Sequence, residues 1–138
     1  MTLAAGIAAP AAQARANVAT DSAVYIERTR PGNVRQLEPV AMLRRGDRVV
    51  TILSWYKLGG DGGFVITNPL PRAIAYQQSA RDGEEVSVDG GRTWGRLGAL
   101  QVGPRVASPE DVTHVRWRIS QQRAASGSGH IAYSGIVR

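Results

Sequence analysis

The side chains best suited to catalysis in this 138-residue sequence are Asp111 and His114, together with the serines of the chain. A Ser–His–Asp hydrolase uses the serine as nucleophile, the histidine as base and the aspartate to orient the histidine. Asp111 and His114 are only three residues apart, and no G-x-S-x-G motif or oxyanion loop accompanies them. The other histidine is His130. We therefore predict that the protein is not an enzyme and has no catalytic residues.

A predicted strand with alternating side chains is the best candidate for a binding surface. His114, Arg116 and Arg118 point to one face of this strand over about 13 Å. Guanidinium groups bind carboxylate, sulfate and phosphate oxygens. We predict that these three residues, called the arginine strip below, bind an anionic glycan such as an acidic polysaccharide, or a lipid head group. The alternative is a solvated outer face paired with acidic residues of a neighbouring strand.

Acidic residues in or near predicted loops are the candidates for metal ligands. Ca²⁺ binds six or more oxygen atoms, and the spacing D-x-[DN]-x-[DN]-G does not occur. The absence of cysteine excludes disulfides and thiolate metal sites. We predict no metal site and no cofactor, and we interpret these carboxylates as solvated turn residues: Asp61, Asp82, Glu84, Glu85 and Asp89.

The net charge of +6 suggests a nucleic-acid partner at first sight. Arginine supplies all the basic residues except Lys57, and the arginines are dispersed, without a run of five like charges. Abundant arginine beside abundant alanine and glycine is also typical of a GC-rich genome. We therefore predict no nucleic-acid partner.

One short segment has the pattern S-x-D-x-G-x-T-W, formed by Ser87, Asp89, Gly91, Thr93 and Trp94. It resembles the Asp-box, a β-hairpin motif best known from sialidases and other secreted β-proteins, where it is scaffolding. An aspartate in such a turn bonds to backbone N–H groups ahead of it, and glycine tolerates positive φ. We predict a structural hairpin with Trp94 covering its base against the core. A sialidase propeller needs repeated Asp-boxes, so that class is excluded.

The first sixteen residues are predicted to be a signal peptide that lacks its basic start. They are apolar and rich in small residues, and Ala12-Gln13-Ala14 supplies an A-x-A cleavage site before Arg15. The alternative is a plain Ala-rich tail. This segment is too short to span a membrane, and no other stretch is long enough. We expect export to the extracellular space, the cell surface or the periplasm, and no membrane span.

Past residue 20, short runs of β-forming residues alternate with turns rich in glycine and proline. One helical turn is predicted at residues 108–111, and residues 68–71 are predicted to be extended outside the sheets because proline cannot donate a sheet hydrogen bond. The fold class is therefore all-β, an immunoglobulin-like antiparallel β-sandwich of about seven to nine strands. The predicted strands are 24–26, 34–37, 48–56, 64–67, 73–76, 85–88, 94–97, 112–119 and 131–137.

From residue 34 onward the chain resembles a family of bacterial surface modules. The Gly46-Asp47 turn before a long strand and the Leu70-Pro71 element match motifs of the conserved-repeat domain of unknown function, number eleven in the usual naming. The resemblance implies an immunoglobulin-like fold without catalytic residues, usually repeated in tandem along bacterial surface proteins. The sequence departs from the family pattern at Thr51, Lys57 and Asn68.

We divide the chain into a signal peptide (1–16), an N-terminal arm (17–33) and a sandwich domain (34–138). The arm contains a short apolar strand of Val24, Tyr25 and Ile26. A strand donated to a neighbouring copy would replace the covalent linkage of tandem arrays and cover an open sheet edge. We therefore predict a non-catalytic structural or adhesive subunit that assembles with itself through this strand. The alternative is a binding module that uses the arginine strip.

Overall fold

The structure is a computed structural model that describes residues 17–80 and 83–138. Its larger sheet contains β1 (Asn17–Arg30), β2 (Val34–Pro39), β3 (Arg48–Gly59), β5 (Ile74–Ser79) and β10 (Ser128–Val137). The strands are antiparallel and lie in the order β2-β1-β3-β10-β5. The strand predicted at 48–56 is thus the central one, and both of its faces are largely apolar.

A smaller antiparallel sheet covers one face of the larger one. It contains β4 (Phe64–Pro69), β9 (His114–Ile119) and β6 (Glu85–Ser87), in the order β4-β9-β6. The Trp117 ring of β9 lies 5.5 Å from the Tyr133 ring of β10, and the Trp55 ring of β3 lies 5.1 Å from that of Phe64. Trp55, Trp117 and Tyr133 belong to one buried cluster, the core between the sheets, and the partly buried Phe64 packs against it. The prediction of an all-β antiparallel sandwich is confirmed.

The described residues form ten strands rather than seven to nine. The additional pair is a two-residue hairpin of β7 (Gln101–Val102) and β8 (Arg105–Val106). The prediction of a strand at residues 94–97 is wrong, because Gly95 alone pairs there, in a single bridge to Val86. The prediction that residues 68–71 lie outside the sheets is wrong for residues 68 and 69, because β4 extends to Pro69, and holds for residues 70 and 71. Since β4 is an edge strand, proline is tolerated in it.

Helical structure is limited to short turns. The turn predicted at 108–111 is present as a 3₁₀ segment, Pro109–Asp111, with a capping box at Ser108. Two others, a 3₁₀ segment at Leu97–Ala99 and α1 (Gln121–Ala124), were not predicted. No helix in the described part of the chain is long and apolar enough to cross a membrane.

The N-terminal arm is part of the larger sheet in this structure. β1 runs along β3 from Asn17 to Ile26, and its second half also pairs with β2. The first half of β1 was not predicted, because its central residues are polar and it shows no apolar periodicity. Strands pair through backbone hydrogen bonds, which polar residues form as well as apolar ones. These central residues are Thr20, Asp21 and Ser22.

Candidate functional site

The Asp-box turn, residues 87–94, is built on Ser87, a side chain with no exposed surface. Its hydroxyl donates to Oδ1 of Asp89 at 2.8 Å and accepts the Gly91 N–H at 2.8 Å. The Ser87 carbonyl accepts the N–H of Thr113 at 2.8 Å, just before β9 begins. One buried serine therefore holds the turn together and joins it to the neighbouring strand.

The Asp89 carboxylate fixes the far side of the same turn. Oδ1 accepts the N–H groups of Arg92 and Thr93 at 3.1 and 2.9 Å, and Oδ2 accepts the Thr93 hydroxyl at 2.6 Å. The hydrogen bonds from Thr93, followed by the one from Ser87, lower the pKa of the Asp89 carboxyl from 3.8 to about 2. Gly91 has a φ of +92°, which disfavours any residue with a Cβ. These contacts serve the turn itself, as expected of a structural element.

Trp94 lies on the outer face of the smaller sheet, so the prediction that it packs against the core is wrong. Its Nε1 donates to the carbonyl of Gly91 at 3.0 Å. The guanidinium carbon of Arg116 lies 4.5 Å from the centroid of the Trp94 ring, and the His114 ring lies 6.4 Å away. The two other tryptophans, Trp55 and Trp117, lie in the core between the sheets, and Trp94 is not among the buried residues of that core. The turn therefore places Trp94 beside the arginine strip.

The arginine strip lies on the outer face of β9 as predicted, while the alternate residues of β9 are buried. Glu85 of β6 is opposite Arg116 and accepts from its Nε at 3.1 Å. The same carboxylate oxygen accepts from Nε of Arg118 at 3.3 Å. The side chain of Arg116 is 21% exposed and that of Arg118 is 66% exposed. One carboxylate thus serves two guanidinium groups, and the excess positive charge lies at the exposed Arg118.

Asp111 and His114 have separate partners in the described structure. The Asp111 carboxylate accepts from both terminal nitrogens of Arg105, at 2.6 and 2.8 Å, and from the Ser108 N–H at 2.8 Å. These bonds hold the pKa of the Asp111 carboxyl well below its ordinary range. Nδ1 of His114 lies 2.9 Å from the Thr113 hydroxyl. This arrangement joins Asp111 to a turn and leaves His114 on the strip.

The residues predicted to assemble with another copy are paired within their own chain. Val24, Tyr25 and Ile26 face residues of β3, and Tyr25 and Ile26 also face the end of β2. Donation of this strand would require β1 to break its pairing with two neighbours. The free edge of the sheet on this side belongs to β2 instead.

A polar row that the sequence analysis missed crosses the outer face of the larger sheet. Asp21, Ser54 and His130 are in register on β1, β3 and β10, and Ser54 Oγ lies 3.1 Å from His130 Nδ1. They line a cavity of about 620 Å³ together with residues that include Ile52 and Ala132. The serine stands between the other two residues, so the carboxylate does not orient the histidine as a hydrolase requires. Sequence spacing gave no sign of this row, because the strands that bring it together are distant in the chain.

Metal ligation finds no support among the acidic residues. Within residues 17–80 and 83–138, no three histidine or carboxylate side chains are grouped to hold a metal ion. Glu84 accepts the Tyr76 hydroxyl at 3.3 Å, while Glu85 and Asp89 have the partners described above. Asp82 and the predicted signal peptide lie outside the described residues.

In comparisons with known proteins, no family model, no curated protein and no solved structure matches this chain.

Proposed function

We propose that this protein is a non-catalytic adhesive or structural β-sandwich of the bacterial cell surface or extracellular matrix, and that its arginine strip binds an acidic polysaccharide. The observation that supports this function is the exposed guanidinium of Arg118, which shares Glu85 with Arg116. The Arg118 guanidinium is exposed and shares one carboxylate oxygen with Arg116. It therefore keeps N–H groups that are able to bond bidentately to a carboxylate or sulfate.

The neighbouring Trp94 favours binding at this place. Arg116 lies over the Trp94 ring, which restricts the guanidinium before any ligand arrives. A pre-ordered side chain loses less conformational entropy on binding. The location outside the cell is part of the proposal and rests on residues 1–16, which lie outside the described residues.

The experiment is a salt titration of binding to immobilised alginate, a carboxylated polysaccharide. We expect Arg118→Ser to weaken binding at low salt, and Glu85→Gln to strengthen it because Arg116 and Arg118 lose their shared partner. The matched control is Arg72→Ser, which likewise removes one exposed arginine but lies outside the strip. Equal binding by Arg118→Ser and the parent would reject the strip as the site.

Self-association is the second candidate function, and the free edge of β2 favours it. β2 pairs on one side with β1 and ends the larger sheet on the other. An open edge is able to pair with a second copy. Light scattering of the parent over a range of concentrations tests this proposal. Growth into larger species with concentration supports it, and a monomer at the highest concentration contradicts it.

A further inference from the structure

One end of the molecule combines exposed apolar side chains with arginines. It is formed by the β1–β2 hairpin and the loop that leads to β3, residues 27–48, and is called the hairpin end below. Nine large apolar side chains are exposed in the described residues, and four of them fall between residues 34 and 43. Met42 is the most exposed of all, at 69%. The four are Val34, Leu37, Met42 and Leu43.

The charge of the hairpin end is strongly positive. Residues 27–48 include six arginines and three acidic residues, which leaves a net charge of +3. Glu38 is shared by Arg28 and Arg30, and Glu27 is shared by two further arginines. The Asp47 carboxylate accepts the backbone N–H of Arg44 at 2.8 Å. The acidic residues are thus already engaged, and three positive charges remain in excess.

The apolar and basic side chains are neighbours in space. Val34 is opposite Arg30 in the hairpin, on the same face as Arg28. Arg28, Met42 and Arg44 line one hollow of about 420 Å³ between the hairpin and the loop. Basic groups therefore lie beside the exposed Val34 and Met42 on this side of the hairpin end.

We infer that the hairpin end binds the surface of an anionic lipid bilayer. Met42 and Leu43 enter the boundary between head groups and acyl chains, and the arginines contact lipid phosphates, which is how basic and apolar residues act together at membrane surfaces. A nucleic acid would bind the arginines but would gain nothing from the exposed methionine and leucines. A second copy would meet this end through the open edge of β2, against the repulsion between two surfaces of charge +3, and the dimer outcome of the second experiment below tests that alternative.

The first experiment is co-sedimentation of the full chain with vesicles of phosphatidylglycerol and phosphatidylcholine, compared with pure phosphatidylcholine. We expect binding to the anionic vesicles only. Met42→Ser with Leu43→Ser should weaken it about tenfold through lost apolar contact, and Arg44→Ser with Arg45→Ser about thirtyfold through lost attraction. Arg72→Ser with Arg96→Ser, which removes two exposed arginines outside both the hairpin end and the arginine strip, should bind vesicles like the parent. These residues are exposed, and equal melting temperatures will show that the variants are folded.

The second experiment measures insertion directly. Met42→Trp should be quenched by brominated lipids in anionic vesicles, whereas Val65→Trp, an exposed position on β4, should not. Equal vesicle binding by the parent and the Met42→Ser with Leu43→Ser variant would overturn the inference, as would equal binding to neutral vesicles. Preference for double-stranded DNA over vesicles, with no effect of the apolar substitutions, would identify a nucleic-acid surface instead. A vesicle-independent dimer that the apolar substitutions dissolve would identify a second copy and also overturn it.

Discussion

The Asp-box turn and the β1–β2 hairpin turn have similar backbone conformations, but their polar side chains make different kinds of contact. Each reverses the chain with residues at positive φ, Gly90 and Gly91 in the first and Gly32 and Asn33 in the second. In the Asp-box turn the polar side chains bond inward, around the fully buried Ser87. In the β1–β2 hairpin they bond to one another across an exposed surface.

This difference separates residues that hold the fold from residues that are available to partners. A buried hydroxyl with two hydrogen bonds leaves unsatisfied groups behind when it is removed, which is costly. Exposed ion pairs add little to stability, because water competes for the same charges. We therefore expect substitutions in the first turn to change stability and those in the second to change binding.

Between the two turns, the largest effect is expected from Ser87→Ala. Loss of the buried hydroxyl leaves the Gly91 N–H without its acceptor and removes one of the three hydrogen bonds to Oδ1 of Asp89, so the free energy of unfolding should fall by about 1–3 kcal/mol. The matched change in the other turn is Gln36→Ala, which removes the exposed acceptor of Arg30. It should stay within about 0.5 kcal/mol of the parent. Urea unfolding measures both, and similar losses for the two variants would remove the contrast.

Trp94→Ala should have a smaller effect than a core tryptophan would. The variant loses the stacking of Arg116 and the hydrogen bond to Gly91, together worth about 1–2 kcal/mol. A buried tryptophan changed to alanine costs about 3–5 kcal/mol, which is the result expected of Trp117→Ala. Leu37→Ala in the exposed hairpin should be close to neutral. Thermal melting of the three variants ranks them, and a Trp94 loss as large as that of Trp117 would place its ring in the core.

The smallest expected effect is the change in stability with pH that the Asp89 carboxylate causes. The pKa of Asp89 is lowered in the folded protein to about 2, so its contribution to stability is present above the ordinary value of 3.8 and is lost as the pH falls through about 2. Asp89→Asn lacks this titration. The stability difference between the parent and Asp89→Asn should therefore narrow from pH 5 to pH 2, as measured by melting at each pH. A constant difference would show that the carboxylate charge does not stabilise the turn.

The two faces of β9 could be predicted because a half-buried strand alternates apolar and polar residues along its sequence. The side of the sheet on which Trp94 lies was not, because it depends on the path of the chain after a three-residue strand. The row of Asp21, Ser54 and His130 depends on the register of three strands, which local patterns do not encode. The length of β1 was underestimated for a similar reason. Its polar first half forms a strand because it pairs with β3, and the local sequence does not indicate that pairing.

The position of β10 has a consequence for synthesis of the chain. Its pairing with β3 joins Ser128 to Tyr56 and Ile136 to Arg48, so the middle of the larger sheet is closed by residues close to the end of this sequence. Contacts between such distant segments form slowly, because a long loop must be ordered before any of them is made. A nascent chain still held by the ribosome at residue 120 has β1, β2 and β3 but no strand to complete their sheet. The β3 edge of the larger sheet therefore stays open until residues 128–137 have been made, because β10 is the strand that pairs with it there.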